Sequence, residues 1–418
     1  MSAHRASARH RPAHIAMVGI PAVSHVLPSL EIIRELVARG HRVSYANDKA
    51  VAHLIEPTGA TLVPYESTLP VADNDWPDDP IAAMSVFLED AIHMLPQLRA
   101  AFDEDPAELY LYDIGGYAAR ALAERQGRPT LQLSPAYVRW EGADADDGPA
   151  AQIMALPGAD AYYERFADWL AECGATTTEP AAFSGQPARA VAMIPRAMQP
   201  YADRVPETVT FVGPCFGERA EQGIWNRPAG AEKVLLVSLG SAYTRQPAFY
   251  RECLAAFGDL PGWHVVLQIG KYTDPAELGE IPANVEVRSW VPQLAILAEA
   301  DAFVTHAGMG GCAEGLYHGV PMIAFPQAAD QFGNADQLVA LGVAQRVDAE
   351  DATARTLRRL LLELTTDEAV ASRSAQLRAE ARAEGGTRSA ADEAEAALGT
   401  VGTHAIGDRT RADADGNP

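Results

Sequence analysis

The sequence predicts an α/β protein built as two Rossmann-like halves, each a parallel sheet covered by helices. Short apolar or β-branched runs alternate with helical patterns along nearly the whole chain, which is how strands joined by crossover helices read. A joint rich in glycine and proline, Gly213-Pro214 through Arg227-Pro228-Ala229-Gly230, separates those runs into two series. The 418 residues also exceed what one hydrophobic core usually serves.

The first series places strands at Ile15–Ile20, Val43–Ala46, Thr61–Tyr65, Leu109–Tyr112, Thr130–Leu133 and Val191–Ile194. Between the first two, PSLEIIRELVARG predicts a helix: Pro28 suits a first helical position, apolar residues recur at helical spacing, and Gly40 ends the run. The second series is VLLVSLGS (234–241), HVVLQIG (264–270), VEVRSW (285–290), AFVTHAG (302–308) and PMIAFP (321–326), each followed by a helix or a turn. TRSAADEAEAAL (387–398) predicts a last helix. The expected division is a first domain over 1–213, with 1–12 a disordered basic leader, a linker over 214–231, and a second domain over 232–385. The helix over 386–398 is expected to pack back on the first domain, and the small, polar stretch 399–418 to be a disordered tail. In such sheets ligands lie outside the carboxyl ends of the strands.

A formal charge of −23 opposes nucleic acid and anionic membranes as partners. No apolar run approaches the ~20 residues of a membrane span. The opening MSAHRASARHRPAHIAMVGIPAV sets basic residues before an apolar stretch, but that stretch is short, broken by Pro21, and continues at once into a structured pattern, unlike a signal peptide. Cys173, Cys215, Cys253 and Cys312 show neither metal-ligand spacing nor the density of a disulfide framework. A cytoplasmic location is expected, as a monomer or homodimer.

The densest chemical signal runs from Ser289 to Asp336: a strand ending at His306, a glycine-rich turn, and a helix beginning near Gly311. That order aims backbone N–H groups and a helix N-terminus at one spot, which suits a phosphate. Gly308 and Gly310 allow a close backbone approach. Gly308-x-Gly310-x-x-Ala313, with Asp330 further on, also satisfies a relaxed dinucleotide fingerprint, so an NAD site is a competing reading. Against it, the unit is the fourth strand of its half rather than the first. His306 beside the turn better suits a diphosphate that departs as a leaving group.

The stretch resembles the nucleotide-sugar signature of family 1 glycosyltransferases. The match runs from Trp290-Val291-Pro292-Gln293 through His306-Ala307-Gly308 and Glu314-Gly315 to Pro326-Gln327 and Asp330-Gln331. Similarity extends from HIAMVGIP to GGTRSAA and is strongest to the actinobacterial macrolide glycosyltransferases of the oleandomycin-inactivating type, through ELVARGHRVSYA, PAFYREC, FGDLPGWH and WVPQLAIL. The resemblance implies a GT-B fold and transfer of a hexose, glucose in the first instance, from a UDP-sugar co-substrate. The acceptor would be a hydroxyl of a macrolide or similar small lipophilic product, modified with inversion for self-resistance or tailoring. It implies no cofactor and no metal; the acidic run Asp144-Ala145-Asp146-Asp147 is not placed to hold one.

Residue by residue, the resemblance gives Trp290 a stack on uracil, with Val291 in the same donor-binding run and Gln293 near the ribose. Glu314 would accept the ribose hydroxyls. Ser241, His306, the Gly308 turn and the amides of Gly310, Gly311 and Cys312 would hold the pyrophosphate. Asp330 and Gln331 would bind sugar hydroxyls. His25, three residues before Pro28, would be the general base, and Asp113, closing LYLYD, would orient it. The chain departs from the family pattern at Val23, Ser24 and Leu27, at Gly115-Gly116 after the acid, and at Cys312-Ala313 in the phosphate turn. Those departures raise the alternative of an impaired relative that only binds, with the two glycines loosening Asp113; a sugar-nucleotide epimerase of the same fold is a separate rival.

Overall fold

A computed structural model describes residues 11–71, 75–139, 153–217, 223–241 and 243–399. Seven strands make the first sheet: β1 (His14–Val18), β2 (Arg42–Asn47), β3 (Thr61–Pro64), β4 (Leu109–Asp113), β5 (Thr130–Ser134), β6 (Ala190–Ala192) and β7 (Val209–Phe211). Their order is β3-β2-β1-β4-β5-β6-β7, parallel throughout. Both faces are covered, so β1 is buried along its whole length and reads as continuous apolar sequence rather than an alternation. Ile15 and Met17 pack with Val26, Leu30, Ile33 and Leu36 of the helix Val23–Ala38. Ala16 and Val18 face the opposite way, toward Leu88, Ala91, Leu95 and Leu98 of the helix Pro80–Phe102.

The first helix begins five residues earlier than its proline signal suggests. Ala22 is extended and acts as N-cap, and the Val26 N–H reaches Ala22 O at 3.0 Å, so Val23 is the first helical residue. Pro28 lies inside, where it cannot donate to the preceding turn. Packing of Val26, Leu30 and Ile33 on the sheet holds the helix across that gap. His25 is therefore the third helical residue, not part of a loop.

The second sheet contains β8 (Lys233–Ser238), β9 (Trp263–Gln268), β10 (Val285–Arg288), β11 (Ala302–Thr305), β12 (Met322–Ala324) and β13 (Ala344–Arg346). Its order is β10-β9-β8-β11-β12-β13, again parallel throughout. Leu235, Val237, Val265, Leu267, Val304 and Ile323 share a core with the helices Pro247–Phe257 and Ala354–Thr366.

The chain divides into two units whose limits differ from the expected ones. The first comprises 1–193, 204–215 and 386–418; the second, 194–203 and 216–385. Residues 194–203 leave the first unit because the second anchors them. The Arg196 N–H donates to Glu384 Oε1 at 2.9 Å, and the Gln337 amide donates to Ala197 O at 2.8 Å. No separate linker spans 214–231, since Pro214 and Cys215 fall in the first unit and the described residues after them in the second.

The last helix, Gly386–Gly399, lies in the first unit and contributes Ala390, Ala391, Ala394 and Ala397 to its core. Arg39 clips it through Asp392 at 2.6 Å and Glu395 at 2.7 Å. The leader up to residue 10, the tail from residue 400 and the acidic run 144–147 lie outside the described residues. Among the described residues no helix is long and apolar enough to cross a membrane.

Candidate functional site

Each sheet reverses its strand order once, between β1 and β4 in the first unit and between β8 and β11 in the second. A crevice opens outside the strand carboxyl ends at such a reversal. His25, Asp113, Ser241 and the His306 turn lie at or just beyond the ends of these four strands, whereas Trp290, Val291 and Gln293 follow β10 and Asp330 and Gln331 follow β12.

In the first unit, His25 comes from the first turn after β1 and Asp113 from the last position of β4. His25 Nδ1 lies 3.0 and 2.9 Å from Asp113 Oδ1 and Oδ2. The carboxylate is buried, and the imidazole side chain is 27 % exposed. The Gly115 N–H donates to Asp113 Oδ1 at 2.9 Å, and the Gly116 N–H to Asp113 O at 2.7 Å. The two glycines thus fasten Asp113 rather than loosening it, contrary to the expectation from sequence. A Cβ on Gly116 would sit 3.0 Å from Asp113 O and 3.2 Å from Val18 O, so the tight turn needs a residue without one.

In the second unit, the His306 ring follows β11 and lies between two glycines. A Cβ on Gly240 would come within 2.7 Å of His306 Cε1, and one on Gly308 within 3.0 Å, closer still to Nε2. The ring is buried against the Ser238 backbone, which partly offsets the effect of burial on its titration. Burial lowers the imidazole pKa to about 4, so the ring is neutral at pH 7 and donates a single N–H. Folding then disfavours protonation. The stability this contributes is complete above the ordinary value of 6.5 and declines as pH falls toward 4. Urea midpoints of His306→Gln should accordingly change less between about pH 7 and about pH 5 than those of the unmodified protein.

The helix after the turn, Met309–His318, has Gly308 as N-cap. The Cys312 N–H is already bonded to Gly308 O at 3.0 Å, and the Cys312 side chain is fully buried. The amides open to an anion are therefore those of Met309, Gly310 and Gly311, one residue earlier than the sequence suggested. Burial, helped by the nearby Asp330 charge, raises the Cys312 thiol well above its ordinary range, so it stays protonated and inert.

The remaining candidate residues also lie in the second unit. Trp290 keeps 52 % of its surface exposed, and Ser241 is exposed beyond the end of β8. The Gln293 amide donates to the buried Glu314 carboxylate at 2.6 Å. Gln331 is buried, and its Oε1 accepts the N–H groups of Gln327 at 2.8 Å and Ala328 at 3.2 Å. Only its amide nitrogen remains to serve a ligand.

Several supporting residues carried no sequence signal. Gln268 on β9 accepts the Val291 N–H at 3.2 Å and donates to Gly240 O at 3.0 Å, tying the Trp290 turn to the His306 cradle. Ala307 and Ala329 adopt left-handed backbone, φ 60° and 52°, a conformation costly for residues with a Cβ and concentrated at functional sites. Alanine gives no hint of this, since glycine or asparagine is the usual marker of such turns.

The model for UDP-glucoronosyl and UDP-glucosyl transferase matches residues 190–377. Oleandomycin glycosyltransferase from Streptomyces antibioticus is 55% identical over 393 residues, covering 93% of this chain and 91% of its own. The chain belongs to this glycosyltransferase family. An NDP-glycosyltransferase, YjiC, from Bacillus licheniformis is 32% identical, with 93% and 98% of the two chains covered. The crystal structure of the kitacinnamycin glycotransferase superposes with TM-score 0.86 at 52% identity, covering 93% of this chain and all of that one, 100%. CalG4, the calicheamicin glycosyltransferase, gives 0.83 at 31% identity, covering 94% and 99%. The fold is GT-B, and the family match spans the turn after β11.

Proposed function

We propose that this glycosyltransferase moves a hexose, glucose in the first instance, from a UDP-sugar to a hydroxyl of a macrolide or chemically similar natural product, with inversion. The observation that carries the mechanism is the clamp of Asp113 on His25 Nδ1 at 2.9 and 3.0 Å. With Nδ1 turned to the carboxylate, Nε2 is the nitrogen that takes the acceptor hydroxyl proton. The acceptor oxygen forms its bond to the anomeric carbon as the bond to the diphosphate oxygen breaks. Asp113 stabilises the imidazolium that forms as the proton is taken.

The second unit holds the donor: Trp290 and Val291 at the base, Gln293 and Glu314 at the ribose, Ser241, His306 and the Met309–Gly311 amides at the diphosphate, and Asp330 and Gln331 at the sugar. Charge on the departing diphosphate falls to those amides and to the His306 N–H, so no metal is required. A macrolide acceptor is supported by the 55% identity to a protein named for oleandomycin and the 31% identity to demethyllactenocin mycarosyltransferase. The departures at Gly115-Gly116 and Cys312 leave the dyad and the amide cradle assembled, which favours catalysis over binding alone.

The test is incubation of purified protein with a panel of UDP-sugars and macrolides, read by mass spectrometry. Oleandomycin with UDP-glucose is expected to gain one hexose mass, at a rate unchanged within about twofold by EDTA. No mass gain across the panel would overturn the reading.

A further inference from the structure

Ala307, in left-handed backbone between His306 and Gly308, has both its main-chain polar groups held by side chains. Its N–H donates to Thr305 Oγ1 at 3.2 Å, and its carbonyl accepts Asn334 Nδ2 at 2.9 Å. Asn334 is fully buried in the helix Gln331–Ala340, and the same Nδ2 donates to Asp330 Oδ2 at 2.8 Å. One amide nitrogen therefore uses both hydrogens to join the strained turn that carries His306 to the Asp330 carboxylate. Asn334 Oδ1 is buried with no partner among the described residues. Both neighbours of Nδ2 are acceptors, so the amide cannot be turned over without setting oxygen against oxygen.

We infer that Asn334 is a positioning residue of the transfer reaction, locking the sugar-binding carboxylate in register with the diphosphate turn. The inference rests on the proposed role of Asp330 toward the donor sugar. No neutral side chain of equal size other than asparagine presents two hydrogens from one atom here. A leucine would fill the space and leave two acceptors unpaired. An aspartate would place a second carboxylate against the first. The register matters because the anomeric carbon lies between the groups that hold the sugar and those that receive the departing diphosphate. A shift of either end turns the bond to be broken away from the attacking oxygen.

The test compares Asn334→Ala, Asn334→Asp and Asp330→Ala by kcat and KM for the UDP-sugar, and by calorimetric affinity for UDP alone. Asn334→Ala is expected to lose at least tenfold in kcat, with UDP affinity changed less than threefold. Asn334→Asp should lose as much at pH 8 and regain at least threefold at pH 6, relative to the unmodified enzyme at each pH. Protonation restores one donor to the aspartate, whereas the alanine variant has nothing to restore. Unchanged kcat in Asn334→Ala, or equal loss of kcat and UDP binding in both Asn334 variants without pH recovery, overturns the inference. An unaffected Asp330→Ala instead removes the reading of Asp330 on which it rests. If Asn334→Ala fails to fold, the pH recovery of the isosteric Asn334→Asp decides.

Discussion

Replacing His25 with alanine is expected to lower kcat for sugar transfer by ~10²–10⁴-fold, the usual contribution of a positioned general base. Donor binding should stay within about twofold, because His25 lies in the first unit and the residues proposed to hold the donor all lie in the second. The truncation leaves the buried Asp113 carboxylate held by the Gly115 N–H but without its imidazole partner, so the melting temperature should fall measurably while the chain still folds. Asp113→Asn is the sharper companion. It preserves volume, but an amide can present N–H to His25 Nδ1, forcing that nitrogen to accept and leaving the proton on Nε2. The ring then holds the wrong tautomer to act as a base, and a loss of at least about 100-fold follows. Initial rates with saturating donor, alongside calorimetric UDP titration, measure both effects. Full activity in His25→Ala would dismiss the dyad as the source of proton transfer.

Gly308→Ala should produce the second large effect, through the donor rather than the base. Gly308 has φ −62°, ordinary for any residue, so the backbone carries no penalty. The added methyl meets His306 instead, within 3.0 Å of Cε1 and closer to Nε2. On the opposite side the ring faces Gly240, where a Cβ would likewise collide, so it has little room to retreat. Either the imidazole leaves its place or the helix Met309–His318 shifts away from β11. Both outcomes separate the His306 N–H from the three open amides, and UDP affinity should fall at least tenfold, about 1.4 kcal/mol. Calorimetry on UDP alone checks this without an acceptor, and Gly185→Ala, in the first unit and with nothing within 4 Å of its added Cβ, serves as the control.

The fold was legible where burial on both sheet faces forces continuous apolar runs. Val234–Val237 and Ile15–Val18 are unmistakable for that reason. The edge strands β7 and β13 were not. Val209–Phe211 is short and half-buried, and Ala344–Arg346 reads AQR, with neither alternation nor an apolar run. Pro28 misled on the first helix because proline is tolerated inside when side chains beyond it are fixed by packing. The site residues could be found from motif spacing, yet their division of labour could not. Which amides are open depends on a single-residue register at Gly308. The roles of Gln331 and Asn334 depend on loops folding back to within 3.2 Å, a distance no local pattern encodes.

The helix Gly386–Gly399 also has a consequence for how the protein is made. Its four core alanines pack beside Ile15 and Met17, and Arg39 and His41 wait for Glu395 across more than 350 positions of chain. During synthesis the first unit emerges early but lacks one wall until this helix is made, after the second unit has appeared. Until then the surface over Ile33 and Leu36 stays open to water and to chaperones. The unit that carries His25 and Asp113 is thus the first to be translated and the last to be completed, so a chain cut short within Gly386–Gly399 damages that unit although the cut lies far from both residues in sequence.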